Sequence, residues 1–196
     1  MKRTFLFSAV VLIAGLAGGC SSSPTASFYR LKPDATLTTQ GPAAPLYVVV
    51  SPVTIPELVD RPQIVVTLAG NQVSPNEFQR WADPLKSGIQ RTIAGDLAAL
   101  LGSEHVSIFG ADPSGPPVWR VRVDVMRFDS VVGETASVDA QWTIWPPKDT
   151  KPILGHTSAH EPVQGQGYDA LVAAHDRALA SVSRDIAAAI QADLPR

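Results

Sequence analysis

Few residues in this chain have types and spacings that could do chemistry. Its four histidines are His105, His156, His160 and His175. His156 and His160 share the H-x3-H spacing that, on a helix, presents two imidazoles to one zinc ion. The stretch Ile153 to His160 reads as a strand, however. An even separation there puts both rings on one face but far apart, and no third ligand lies nearby, so no metal is expected. The chain has no G-x-S-x-G elbow, P-loop or dinucleotide fingerprint. Gly165-Gln166-Gly167 reads as a flexible connection before a helix, and no serine–aspartate spacing implies catalysis. Neither an enzyme nor a cofactor is expected. Asp60-Arg61 is either a solvent-facing salt bridge or a fixed turn. Cys20 is the only cysteine, so it has no disulfide partner within the chain, and left free it would be a reactive thiol.

The surroundings of Cys20 give that thiol a use. Lys2 and Arg3 form a basic start, an apolar run follows from Phe5 to Leu16, and small residues Ala17-Gly18-Gly19 lead directly into Cys20. This order is that of a secretory signal peptide, and the apolar run is shorter than the about 20 residues a spanning helix needs. Leu16-Ala17-Gly18-Gly19-Cys20 resembles the bacterial lipobox, which is cleaved just before a lipid-modified cysteine. Residues 1–19 are therefore expected to be a signal peptide, and residues 20–27 a lipidated tether. Ser21 in the following position favours the outer membrane, by resemblance to enterobacterial lipoproteins, in which Asp there retains the protein at the inner membrane.

Removing two basic signal residues from 16 leaves 14 against 18 acidic ones, a net charge of −4. With no basic block, nucleic acid is not an expected partner. The 45% hydrophobic and 17% charged composition is that of a globular chain, and residues 28–196 are expected to form one domain with a real core.

The elements that must position any site follow from periodicity. Ser27 to Leu31 is a short strand, and Leu46 to Val50 is an apolar β-branched run suited to burial on both faces, with Pro52 and Pro56 ending its pairing. Gln63 to Leu68 is a strand that turns at Gly70-Asn71-Gln72, with a brief return near Val73. Trp81 to Leu85 opens the first long helix, with Asp83 as N-cap and Pro84 in its first turn. Leu85, Ile89, Ile93, Leu97, Leu100 and Leu101 form its apolar stripe, Asp96 lies off it, and Gly102 closes it. His105 to Phe109 is a short strand. Trp119, Val121, Val123 and Val125 alternate with polar residues, and the phase then slips toward Met126 and Phe128, as a bulge would require. Gly133-Glu134 turns into a strand with Ala136, Val138, Ala140, Trp142 and Ile144 on one side. A last helix from about Tyr168 to Ala192 buries Leu171, His175, Ala178, Val182, Ile186 and Ala189. The fold expected is α+β, one mixed, largely antiparallel sheet with two long helices packed on one face. Its other face or its edge would be left for a partner.

Three segments carry a resemblance. Phe28-Tyr29-Arg30-Leu31, then Val53 through Val65 containing Asp60-Arg61-Pro62-Gln63-Ile64-Val65, then Arg80-Trp81-Ala82-Asp83-Pro84-Leu85, resemble in that order the PqiC family. These are auxiliary lipoproteins of ABC-type and MCE-type lipid transport systems. Val59 stands where members often carry Tyr or Leu. The resemblance implies a non-catalytic adaptor on the periplasmic face of the outer membrane, with an MCE-domain protein or an ABC transporter component as partner. Homo-oligomerisation is a further expectation, by analogy. Asp60, Arg61, Pro62 and Gln63 would be a structural corner or a docking surface, while Trp81, Pro84 and Leu85 belong to the second motif, Trp81 and Leu85 reading as core. The competing readings are a structural lipoprotein that binds cell wall or a secretion complex, and a lipid carrier with an apolar cavity.

Overall fold

The computed structural model describes residues 24–39, 46–110, 115–147 and 151–194. The signal segment and Cys20 lie outside the described residues. Among the described residues, eight strands and two helices follow in the order β1 (Ser27–Tyr29), β2 (Tyr47–Thr54), β3 (Gln63–Thr67), β4 (Val73–Trp81), α1 (Leu85–Leu101), β5 (Val106–Ser107), β6 (Val118–Val131), β7 (Thr135–Trp145), β8 (Ile153–Pro162) and α2 (Gly167–Ala192). The class is α+β, as the periodicity predicts. The strands divide between two sheets, a five-stranded one ordered β5-β2-β6-β7-β8 and a three-stranded one ordered β1-β4-β3. In the large sheet β2 runs parallel to β5 and β6, while β6, β7 and β8 form an antiparallel meander. Both helices cover one face of it and pack on each other, α1 over β2 and β5 and α2 over β7 and β8.

Three local expectations change. Pro52 does not end β2. The register moves from Val50↔Val121 to Val53↔Val123, so one extra residue is absorbed as a bulge around the proline, which has no N–H to lose there. The return after the Gly70 turn is not brief but a nine-residue strand, β4. That strand runs through Trp81, so Trp81 ends a strand instead of opening a helix. Helix α1 starts at Leu85 with Pro84 in the N-cap position and no side-chain cap, and Asp83 is engaged elsewhere. The phase slip in β6 is a bulge between Val125 and Arg127, which leaves Met126 in solvent and brings Phe128 to the core.

The core lies between the large sheet and the helices. Leu85, Ile89, Ile93, Leu97, Leu100 and Leu101 are all buried, as are Leu171, Ala178, Val182 and Ile186. Gly102 takes the left-handed conformation (φ 60°), and the N–H groups of Gly102 and Ser103 bond back to Ala99 and Ala98, closing α1. Trp142 lies across Gly155 on the neighbouring strand, where a Cβ would collide with the indole. The segment after β1 is a strap across both helices. Leu31 is buried, with its side chain facing Gly88, and Pro33 sits on Gly95, where a Cβ would collide with its ring. The N–H of Lys32 donates to Asp176 Oδ1 at 3.0 Å, and that of Asp34 to Asp96 Oδ1 at 2.9 Å.

Asp96 is a correction to the periodicity. It is fully buried in α1, not off the stripe, and Ser183 Oγ of α2 donates to its Oδ2 at 2.9 Å. Burial pushes its carboxyl up to about 6, against the downward pull of the hydrogen bonds from Asp34 and Ser183. Burial likewise pushes Asp176 up to about 7.

Candidate functional site

The turn that carries Asp60 and Arg61 is built on one buried side chain. Val59 is 6% exposed, and its N–H bonds to Pro56 O at 3.1 Å. The N–H of Asp60 bonds to Glu57 O and that of Arg61 to Val59 O at 2.8 Å. Apolar burial of Val59 thus forces a tight turn and leaves the Asp60 and Arg61 side chains in solvent. Among the described residues neither takes part in an ion pair, so of the two readings of this dipeptide the fixed turn is the one observed.

The turn meets the second motif through backbone. Trp81 N–H donates to Pro62 O at 2.7 Å, and Gln63 pairs with Arg80 across β3 and β4. Gln63 Nε2 also reaches the Glu77 carboxylate at 3.3 Å. The first segment joins from the other side, since Ala82 N–H donates to Tyr29 O at 2.7 Å. Asp83 then accepts Arg30 Nε at 3.0 Å and Arg91 Nη2 at 2.8 Å. The three segments singled out in sequence, though up to about fifty residues apart, therefore converge at one end of the small sheet. That ion-pair hub was not legible in the sequence, because Arg30 and Arg91 reach Asp83 only once β1 and α1 are in place.

Between the segments lies an open groove of about 320 Å³, lined by Asp60, Arg61 and Pro62 on one side and by Trp81 to Leu85 on the other. Its floor is apolar, because Trp81 and Leu85 are 6% and 2% exposed, while Pro62 and Pro84 stand on its exposed rim. Trp81 meets Phe128 edge-on with ring centroids 6.2 Å apart, and Phe128 stacks on His175 at 3.9 Å. The floor is therefore continuous with the main core and cannot shift without disturbing it. A rigid apolar floor with the Asp60 carboxylate and the Arg61 guanidinium on one side and the arginine-paired Asp83 on the other suits recognition of a peptide segment or a protein loop.

The other chemistry-bearing residues do not join this groove. His156 and His160 are exposed on β8, and His160 Nδ1 lies 2.9 Å from Ser137 Oγ. Among the described residues no three His, Cys, Asp or Glu side chains are arranged to hold a metal ion. His175 lies 2.8 Å from Ser130 Oγ, but both are sealed in the core, and burial drives the imidazole down to about 3. Among the described residues no helix is long and apolar enough to cross a membrane.

No curated protein matches the sequence as a relative. A solved but uncharacterised protein superimposes with a TM-score of 0.68 at 20% identity, covering 85% of this chain and 99% of its own. A Xanthomonas campestris protein superimposes with a TM-score of 0.60 at 16% identity, covering 82% of this chain and 92% of its own. At these identities the two structures establish the shared fold. The family model for the ABC-type transport auxiliary lipoprotein component matches residues 29–187, which take in the converging segments from Tyr29 onward. The chain belongs to the ABC-type transport auxiliary lipoprotein family.

Proposed function

We propose that this chain is a non-catalytic adaptor of an MCE-type, ABC-driven lipid transport system, anchored through a lipid on Cys20 to the periplasmic face of the outer membrane. The observation that carries the reading is the exposed groove formed where the Asp60–Pro62 turn meets Trp81–Leu85, with the first segment joined alongside through Tyr29 and Arg30. Asp60 and Arg61 stand in solvent beside that apolar floor, where a partner can reach both. Family membership supplies the transport context, and the lipobox-like run before Cys20 supplies the anchor. The adaptor would present the groove to an MCE-domain protein or to a transporter component, with Asp60, Arg61, Pro62 and Gln63 as the docking lip. Trp81 and Leu85 would form its base, with Pro84 on the opposite rim.

Crosslinked capture of the membrane-anchored protein from its own host, followed by mass spectrometry, tests the reading. It predicts recovery of an MCE-domain protein or a transporter component, lost on Asp60→Ala and Arg61→Ala in variants that still fold. Recovery of cell-wall or secretion components alone would contradict it.

A further inference from the structure

We propose that the outward face of the three-stranded sheet is a membrane-contacting surface, on which Phe28 and Phe78 enter the interfacial region of the bilayer that carries the anchor. The inference rests on the lipid-anchor reading of Cys20 and adds an orientation to it. The two faces of this sheet are sorted by pairing. Phe28 lies opposite Arg80 in the β1–β4 register, and Phe78, two residues before Arg80, shares that face. Tyr29, Gln79 and Trp81 point the other way, where Tyr29 Oη donates to Gln79 Oε1 at 2.6 Å and Trp81 is buried. On the outward side the two phenylalanines are 64% and 43% exposed.

A local device lifts Phe78 outward. Asn76 Oδ1 accepts the N–H groups of Phe78 and Gln79 at 3.0 and 3.1 Å. Over the same stretch the register jumps from Gln63↔Arg80 to Ile64↔Asn76, so residues 77–79 bulge away from β3.

The occupant is set by the tether. Residues 21–26 separate Cys20 from β1, and at full extension six residues span about 20 Å. Phe28 thus cannot leave the neighbourhood of the anchor. Phe109 and Leu154, 76% and 74% exposed, lie instead at the two edges of the large sheet. Arg80, beside Phe28, offers a planar cation to lipid phosphate, while the exposed carboxylate of Glu77, next to Phe78, is engaged by Gln63; exposed aromatic side chains beside a cation suit a bilayer interface.

The test uses the full lipidated chain in phosphatidylethanolamine–phosphatidylglycerol vesicles. With Cys20 acylated, Phe28→Cys, Phe78→Cys or Leu154→Cys supplies the one free thiol for a solvatochromic label. The expected result is blue-shifted emission, quenched by brominated lipid, at positions 28 and 78, and water-like emission at 154. In the unsubstituted protein, hydroxyl-radical labelling should spare Phe28 while oxidising Phe109. Water-like emission at all three positions, with the acylated Cys20 peptide found by mass spectrometry, would overturn the inference and leave the anchor standing. Equal burial at 154 would overturn it too, and an unmodified Cys20 would overturn both.

Discussion

Two polar clusters flank the same helix and are built in opposite ways. At the start of α1, Asp83 faces solvent and holds two arginines, each about half exposed. Deeper along α1, Asp96 is fully buried, bonded to a serine hydroxyl and a backbone N–H. The first cluster borders the groove and contributes little to stability, since exposed ion pairs are worth about 0–1 kcal/mol. The second fixes how the strap and the two helices meet, and losing a buried partner there costs about 1–3 kcal/mol. The contrast teaches that the exposed charges around the groove are available to a partner, while the interior ones are committed to the fold.

The sharpest way to break this division is at the residue that joins the groove to the core. Trp81→Ala removes the groove floor and the edge contact to Phe128, and it should lower unfolding stability by about 3–5 kcal/mol in a denaturant titration. Asp96→Ala should cost about 1–3 kcal/mol, because the Asp34 N–H loses its acceptor and Ser183 Oγ keeps only Leu179 O. Gly95→Ala should cost a similar about 1–3 kcal/mol by driving Pro33 and the strap off α1.

A pH series sharpens the same point. Asp96 and Asp176 bind protons more tightly folded than unfolded, so their contribution grows as pH falls and is lost as pH rises through about 6 and about 7. His175 opposes them, since it stays neutral in the fold while the unfolded imidazole charges below 6.5. With two carboxyls against one imidazole, melting temperature should rise from about pH 7.5 to about pH 5. Asp96→Asn should flatten that rise. The smallest stability effects belong to Asp60→Ala and Arg61→Ala, each within about 0.5 kcal/mol of the parent, with loss of partner capture as their main consequence.

Much of this was legible in sequence, for physical reasons that also explain the failures. The alternation Trp119 to Val125 and the stripe Leu85 to Leu101 are direct records of one-sided burial, and both elements form where expected. Polar residues defeat that reading. Asp96 is seven residues after Ile89 and so on its face, but a charge is not counted as core until a strap and a serine from distant segments satisfy it. Helix entry failed similarly, because Asp83 is a good N-cap by type but finds two arginines in three dimensions. The motif residues were singled out by resemblance; that Asp60–Pro62 and Trp81–Leu85 meet in one groove depends on the β3–β4 pairing, which no local spacing records.

The most direct test of the account is site-specific photocrosslinking in the living host. A photoreactive amino acid replaces Arg61 at the groove lip or Asp185 on the exposed side of α2. Position 61 is expected to capture a transport-system component and position 185 is not. Capture of that component from position 185 alone, or equally from both, would contradict the groove as the docking surface.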